Sequence, residues 1–181
     1  MRITKVTTKT GDGGKTSLGN GQRVHKNHPI INTLGELDYL NSIIGWAKVE
    51  STNGSYSFEL KNIQQDIFNI SGDLSLPNSD VSLLKEERII HLEKMIKSMN
   101  EKLPPLEEFI LPGGSEFNAR LHIARTTCRN SERSLVSLHL EQDKNEIHAK
   151  YLNRLSDYLF LLARDVAQSK NQSEQHWELK K

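Results

Sequence analysis

Three arginines, Arg125, Arg129 and Arg133, recur at i, i+4 and i+8 in a stretch with helix period, and Asn130, Ser131 and Glu132 lie among them. Guanidiniums down one helix line repel one another. Such a row is tolerated on an open surface, or where an anionic or acidic group lies against it. The stretch opens with an apolar run, Phe109-Ile110-Leu111, followed by the turn signal Pro112-Gly113-Gly114. A second concentration of chemistry is N-terminal. Thr10-Gly11-Asp12-Gly13-Gly14-Lys15-Thr16-Ser17 is followed by Gly19-Asn20-Gly21, and Lys5, Lys9, Arg23, His25 and Lys26 give the region a positive bias. Glycine N–H groups, hydroxyls and lysines can together surround a polyphosphate. A Walker A loop is excluded by spacing. The glycine ahead of Gly14-Lys15-Thr16 is Gly11, two residues too close, and no alternating β/α pattern follows. Plainer readings exist for both: a simple N-terminal tail, and a solvated helix face with Glu/Arg support.

Other residues bear on that choice. Asp38 interrupts the apolar face of the first predicted helix, where an unpaired carboxylate is costly and an arginine would repair it. Asn153 and Asp157 stand one turn apart on the last predicted helix, with Arg164 further along. These helices are expected to bring acidic or amide groups to the arginines, leaving a site for an anionic ligand. The seven histidines form no HxxxH or HExxH pattern, so a zinc site is not expected. No ExxH pair supports a di-iron bundle. The lone cysteine, Cys128, falls in an apolar stripe and reads as a core thiol.

The elements that must position these groups are helices. Apolar spacing predicts helices from about Pro29 to Val49, Ser57 to Leu74, Ser82 (as a cap) to Met99, Ser115 (as a cap) through Leu138, and Asn145 to Gln168. The buried stripe of the fourth is expected to be Phe117, Leu121, Ala124, Cys128, Leu135 and Leu138. Arg2 to Thr8 has β-type residues and suits a short extended segment, and the glycine-rich run that follows reads as loop. The expectation is one all-α domain over 1–181: a glycine-rich loop at 1–27, an up-down bundle of five helices at 28–168, and a polar tail at 169–181 holding Trp177. With 24 basic and 23 acidic residues, the chain is not a general nucleic-acid binder. A single cysteine fits a reducing compartment, and no apolar run is long enough to span a membrane, so a cytoplasmic protein is expected.

Five blocks, in order along nearly the whole chain, give a more specific reading. Thr8-Lys9-Thr10-Gly11-Asp12-x-Gly14, Gly35-Glu36-Leu37-Asp38-x-Leu40-Asn41-Ser42, Phe109-Ile110-Leu111-Pro112-Gly113-Gly114, Ala124-Arg125-x-x-x-Arg129-x-x-Glu132-Arg133 and Asn153-Arg154-Leu155-Ser156-Asp157 resemble the PduO-type ATP:cob(I)alamin adenosyltransferases. The resemblance implies a five-helix bundle assembled as a homotrimer, with active sites between subunits. It implies transfer of the 5′-deoxyadenosyl group of ATP, taken with Mg2+, to the cobalt of cob(I)alamin, with release of triphosphate. A flavin reductase is the expected electron source. Carried over by position, Thr8, Lys9, Thr10, Gly11, Thr16, Ser17 and Lys26 correspond to the ATP-holding loop. Arg129, Ser131, Glu132, Arg133 and Asn153 correspond to ATP contacts from the helices. Asp38 and Arg125 correspond to an intersubunit ion pair, and Phe109 to the aromatic that closes the lower corrinoid face and displaces the axial base. Trp177 matches loosely an aromatic of a C-terminal segment that orders over the corrinoid. The chain departs from the pattern at Asn130, where many members carry a second arginine, and at Tyr39, where an acidic residue is common. Two other classes stay open on sequence: a carrier that binds these ligands without transferring anything, and a helical adaptor.

Overall fold

The computed structural model describes residues 7, 9–51, 53–77, 79, 82–142, 147–170 and 174–178, the side chains of 141 and 142 excepted. Five helices dominate it: α1 (Pro29–Val49), α2 (Gly54–Ser75), α3 (Glu86–Asn100), α4 (Glu116–Gln142) and α5 (Ile147–Ser169). α1 begins and ends where its periodicity predicts. Proline occupies its first turn, and His28 Nδ1 accepts a hydrogen bond from the Ile30 N–H at 3.2 Å. α2 starts three residues earlier than expected because Asn53 caps it, its Oδ1 accepting from the Ser55 N–H at 2.9 Å. α3 starts later. The Ser82 hydroxyl donates to the Leu84 carbonyl at 2.8 Å and so does not cap, while Asp73 holds the Leu83 and Leu84 N–H groups at 2.7 and 3.2 Å. Glu86 and Glu87 then stand in the first turn, where the helix dipole favours them. Ser115 does cap α4, its Oγ accepting from the Asn118 N–H at 3.3 Å.

The expected α4 stripe is buried in full, and all of it but Leu138 packs with Leu37, Leu40 and Ile44 of α1 and Leu155, Leu159 and Leu162 of α5. Not every apolar side chain points inward. Phe58 and Phe68 of α2 and Ile90 of α3 are exposed. One group of buried polar side chains is paired across three helices. Arg88 of α3 donates to Asp66 at 2.7 Å and to Glu59 at 3.0 Å, both on α2, and the Tyr151 hydroxyl of α5 donates to Asp66 at 2.8 Å. Burial raises the Asp66 carboxyl above its ordinary value despite these donors. Among the described residues no helix is long and apolar enough to cross a membrane.

The N-terminal region holds an element the glycine-rich composition hid. β1 (Lys15–Ser17) and β2 (Arg23–His25) pair antiparallel as a hairpin. The extended segment expected at Arg2 to Thr8 lies outside the described residues except for Thr7. Leu18 and Val24 pack with Ile30 of α1 and Leu138 of α4 in a second small core. Gly19 donates its N–H to the Ser75 carbonyl at 2.9 Å, and a Cβ at Gly19 would stand 2.9 Å from Ser75 Oγ, so only glycine lets the hairpin seat against the end of α2. The hairpin therefore sits at the C-terminal end of α4. The opposite end of the bundle is tied by Arg120, which stacks 4.4 Å over the Trp46 ring and donates to the Trp46 carbonyl at 2.7 Å.

Candidate functional site

The loop ahead of β1 is shaped by backbone turns and by one arginine. Lys9 adopts φ +60° and Gly14 φ +76°, and the Gly14 N–H donates to the Gly11 carbonyl at 3.2 Å. Arg23 crosses the hairpin to donate to the Thr10 carbonyl at 2.7 Å, the Lys15 carbonyl at 3.3 Å and Ser17 Oγ at 3.4 Å. Lys26 donates its N–H to the Gly14 carbonyl at 2.9 Å, and its Nζ lies over Gly11, where an added Cβ would stand 3.3 Å away. The structure thus brings Lys9, Thr10, Gly11, Thr16, Ser17 and Lys26 into one small region. Lys9, Thr10, Ser17 and Lys26 are exposed there and Thr16 is half-buried. Thr8, assigned to the same loop from sequence, lies outside the described residues. Arg23, expected only to add to the positive bias of this region, is the side chain that organises the loop.

On α4, Arg129, Asn130 and Arg133 are exposed on one strip. Arg133 donates to the side-chain carbonyl of Asn130. The position where a second arginine is usual thus orients a neighbouring guanidinium instead of repelling it. Glu132 is half-buried and accepts from Asn153 Nδ2 at 3.0 Å. Asn153 Oδ1 accepts in turn from Arg154 at 2.7 Å, and Arg154 reaches Glu93 at 2.9 Å. This chain fixes Glu132 beside the strip. Asp157 does not join it: it is exposed and lines a groove between α3 and α5 with Arg154. Ser131 is a correction. Its side chain is wholly buried, with Oγ within 3.0 Å of the Glu36 carbonyl and 3.2 Å of the Thr127 carbonyl, so it ties α4 to α1 and does not face the strip.

Asp38 is a correction of another kind. It does not interrupt the buried face of α1. It is exposed, beside the exposed Tyr39, and among the described residues it forms no ion pair with Arg125. Arg125 is left unsatisfied. Its guanidinium lies 5.9 Å from the Phe160 ring centre, its Nε is buried without a hydrogen-bond partner among the described residues, and burial, followed by Arg129, holds it below the usual arginine value. A buried donor without an acceptor costs on the order of 1–3 kcal/mol.

The remaining piece is at the far end. At about 1.5 Å per residue, Arg129 lies roughly 20 Å along α4 from Glu116, just after the Phe109 segment. Phe109 is 76% exposed, an unusual state for a phenylalanine. Residues 174–178 run beside it. The Leu111 N–H donates to the Gln175 carbonyl at 2.8 Å, the Trp177 N–H to the Phe109 carbonyl at 2.7 Å, and the Trp177 ring meets Phe109 edge-on, centroids 6.4 Å apart. Arg164, further along α5 from Asn153 and Asp157, holds Glu174 of this segment at 2.9 and 3.2 Å. The described residues contain no group of three or more His, Cys, Asp or Glu able to hold a metal. A divalent ion that arrives on nucleotide phosphates, keeping its own waters, needs no such cage.

Comparison with known proteins gives a consistent result. A family described as cobalamin adenosyltransferase matches residues 6–166. A cobalamin adenosyltransferase of Cupriavidus metallidurans is 43% identical over 98% of this chain and 96% of its own length. The human corrinoid adenosyltransferase MMAB is 37% identical over 96% of this chain and 73% of its own. The corrinoid adenosyltransferase PduO of Citrobacter freundii is 40% identical over 88% of this chain, which spans only 49% of that relative. Among solved structures, a phenylalanine-to-alanine variant of a PduO-type ATP:corrinoid adenosyltransferase from Lactobacillus reuteri, complexed with cobalamin and ATP, superposes with a TM-score of 0.91. It is 35% identical, covering 97% of this chain and 100% of that one. An arginine-to-lysine variant of the same enzyme, complexed with ATP, gives 0.90.

Proposed function

Because the chain belongs to the cobalamin adenosyltransferase family, we propose that its two exposed clusters hold the two substrates of one transfer reaction. The chain transfers the 5′-deoxyadenosyl group of ATP to the cobalt of cob(I)alamin. The cobalt supplies the electron pair of the new Co–C bond, the C5′–O bond breaks, and triphosphate leaves with that bond's electrons. The nucleophile comes with the substrate, so no side-chain nucleophile is needed, and the buried Cys128 thiol, raised well above its ordinary value by burial, is unsuited to be one. The protein's tasks are to position ATP, to stabilise charge on the leaving triphosphate and to exclude water.

The observation that carries this reading is the exposed cationic surface of Arg129 and Arg133, beginning midway along α4, the helix whose C-terminal part packs against the hairpin that follows the glycine loop of Lys9 and Lys26. Glu132 and Asn153 fix its shape. Phe109, at the other end, faces the corrinoid from below and keeps the axial base away. The unsatisfied Arg125 Nε and the exposed Asp38 support an ion pair made between copies of the chain, and with it a homotrimer whose sites lie between subunits. The thiol state of a lone cysteine and the use of a reduced corrinoid both suit the cytoplasm, where a flavin reductase supplies the electron. Arg129→Ala is the test. It abolishes transfer while the fold stays intact by circular dichroism, since the residue is exposed. Near-normal turnover in that variant sinks the assignment of the strip to triphosphate.

A further inference from the structure

Residues 174–178 form a strap whose attachment is unusually economical. Four of the five, Gln175, His176, Trp177 and Glu178, are exposed, so apolar burial does not hold the strap down. Its contacts with the Phe109 segment are two backbone hydrogen bonds, which together make the isolated bridge between Ile110 and His176, and one aromatic edge. A cavity of about 40 Å3, lined in part by Gly113, Gly114, His122 and Glu174, lies behind it. Contacts of that kind are marginal in water. The exception is Glu174. Its carboxylate takes both Nε and Nη2 of Arg164, at 2.9 and 3.2 Å. Arg164 is itself 5% exposed, and its Nη2 also donates to the Pro104 carbonyl at 3.0 Å, in the segment leading to Phe109. A paired guanidinium of this burial cannot be left without its carboxylate at low cost. One arginine therefore ties three segments together: α5, the approach to Phe109, and the strap that carries Trp177.

We propose that Arg164 is a positioning residue for adenosyl transfer, a latch that acts through Glu174 and Trp177 to fix the Phe109 edge of the corrinoid site. The proposal rests on the transfer reading above for its kinetic consequence and on the structure alone for its mechanical one. Arg164 touches neither substrate. Its effect belongs to the corrinoid side and leaves the ATP loop, at the opposite end of the bundle, undisturbed.

The test uses the full chain in four forms besides the parent: Glu174→Gln, the charge-neutral pair Arg164→Met with Glu174→Gln, Trp177→Ala, and Trp177→Ala combined with Glu174→Gln. The pair is included because removing one buried partner alone risks the fold, whereas removing both charges does not leave either unpaired. Hydrogen exchange without any substrate reads the latch directly, at the Leu111 and Trp177 amides that donate across the strap. Protection there falls at least roughly tenfold in both latch variants, the worth of one charge-assisted hydrogen bond, while amides inside α1 keep theirs. In turnover, KM for cob(I)alamin rises and kcat falls, and KM for ATP stays within about twofold. Adding Glu174→Gln to Trp177→Ala costs nothing more, because both act through one ring. Unchanged protection at the two amides overturns the latch, whatever the activity. Additive losses, or a matching rise in KM for ATP, overturn its positioning role. A parent chain that transfers no adenosyl group overturns the function reading and leaves the exchange result standing.

Discussion

Truncating Phe109 to alanine separates function from stability. In the single chain the ring is 76% exposed and its aromatic neighbour is the edge of Trp177. No core cavity opens when it is removed. The backbone carbonyl of Phe109, which accepts the Trp177 N–H, is kept. The cost to folding is thus the aromatic pair alone, about 0.5–1.5 kcal/mol. For a chain of this length that lowers Tm by roughly 2–4 °C per kcal/mol. Turnover is a different matter. A phenylalanine buried against the lower corrinoid face contributes about 1.5–3 kcal/mol through the water it displaces. If that burial is gained as the axial base leaves, its loss reduces kcat by roughly ten- to over a hundredfold. Steady-state kinetics with ATP and with cob(I)alamin varied separately, alongside thermal unfolding, measures all three quantities. The expected outcome is a large fall in kcat, KM for ATP within about twofold, and a Tm lowered by a few degrees. A Tm lower by more than about 10 °C would show that Phe109 holds the fold together, and equal losses in kcat and in ATP affinity would contradict the axial-base role.

Two further predictions probe the chain elsewhere. Asp38→Ala and Arg125→Ala are each expected to reduce turnover, and the double variant to be no worse than the weaker single one; additive effects in this cycle mean that the two groups never meet. His122 is 4% exposed, and burial, reinforced by Arg125, lowers it from 6.5 to about 4. Its folded value is depressed, so the unfolded chain takes up a proton first as pH falls below 6.5, and stability is lost across the window from 6.5 to 4. Between pH 6.5 and 5 the loss amounts to about 1.5 kcal/mol, short of the full 1.36 kcal/mol per pH unit because the unfolded histidine is only half protonated at pH 6.5. Urea unfolding of the parent and of His122→Asn over that range shows it as a difference in slope; parallel slopes would mean that His122 titrates normally.

Sequence periodicity located the helices because their buried stripes are long and regular, and α1 ends where its apolar spacing ends. It was less able to see contacts made by tertiary packing. The hairpin of Lys15–Ser17 and Arg23–His25 has strands of three residues each, too short for alternation to register, and it is anchored by Leu18 and Val24 against helices far along the chain. Arg164 and Glu174 lie ten residues apart across the end of α5, and no local pattern joins them. The burial of Ser131 is legible in the spacing: three residues after Cys128 and four before Leu135, it falls on the buried stripe of α4, whatever its hydroxyl suggests. The same reasoning places Asp38 outside the stripe of Leu37, Leu40, Ile44 and Ala47. A carboxylate and a half-buried arginine that stay apart in one chain are intelligible once more than one copy is considered.

The central claim is that carbon, not phosphate, is transferred from ATP. Chemically reduced cobalamin, ATP and the purified chain are mixed without oxygen, the corrinoid spectrum is followed, and the nucleotide products are separated. The expected result is the spectrum of adenosylcobalamin, formed one for one with intact triphosphate. Bound ATP with no new cobalt–carbon bond, or ADP and phosphate in place of triphosphate, would contradict it.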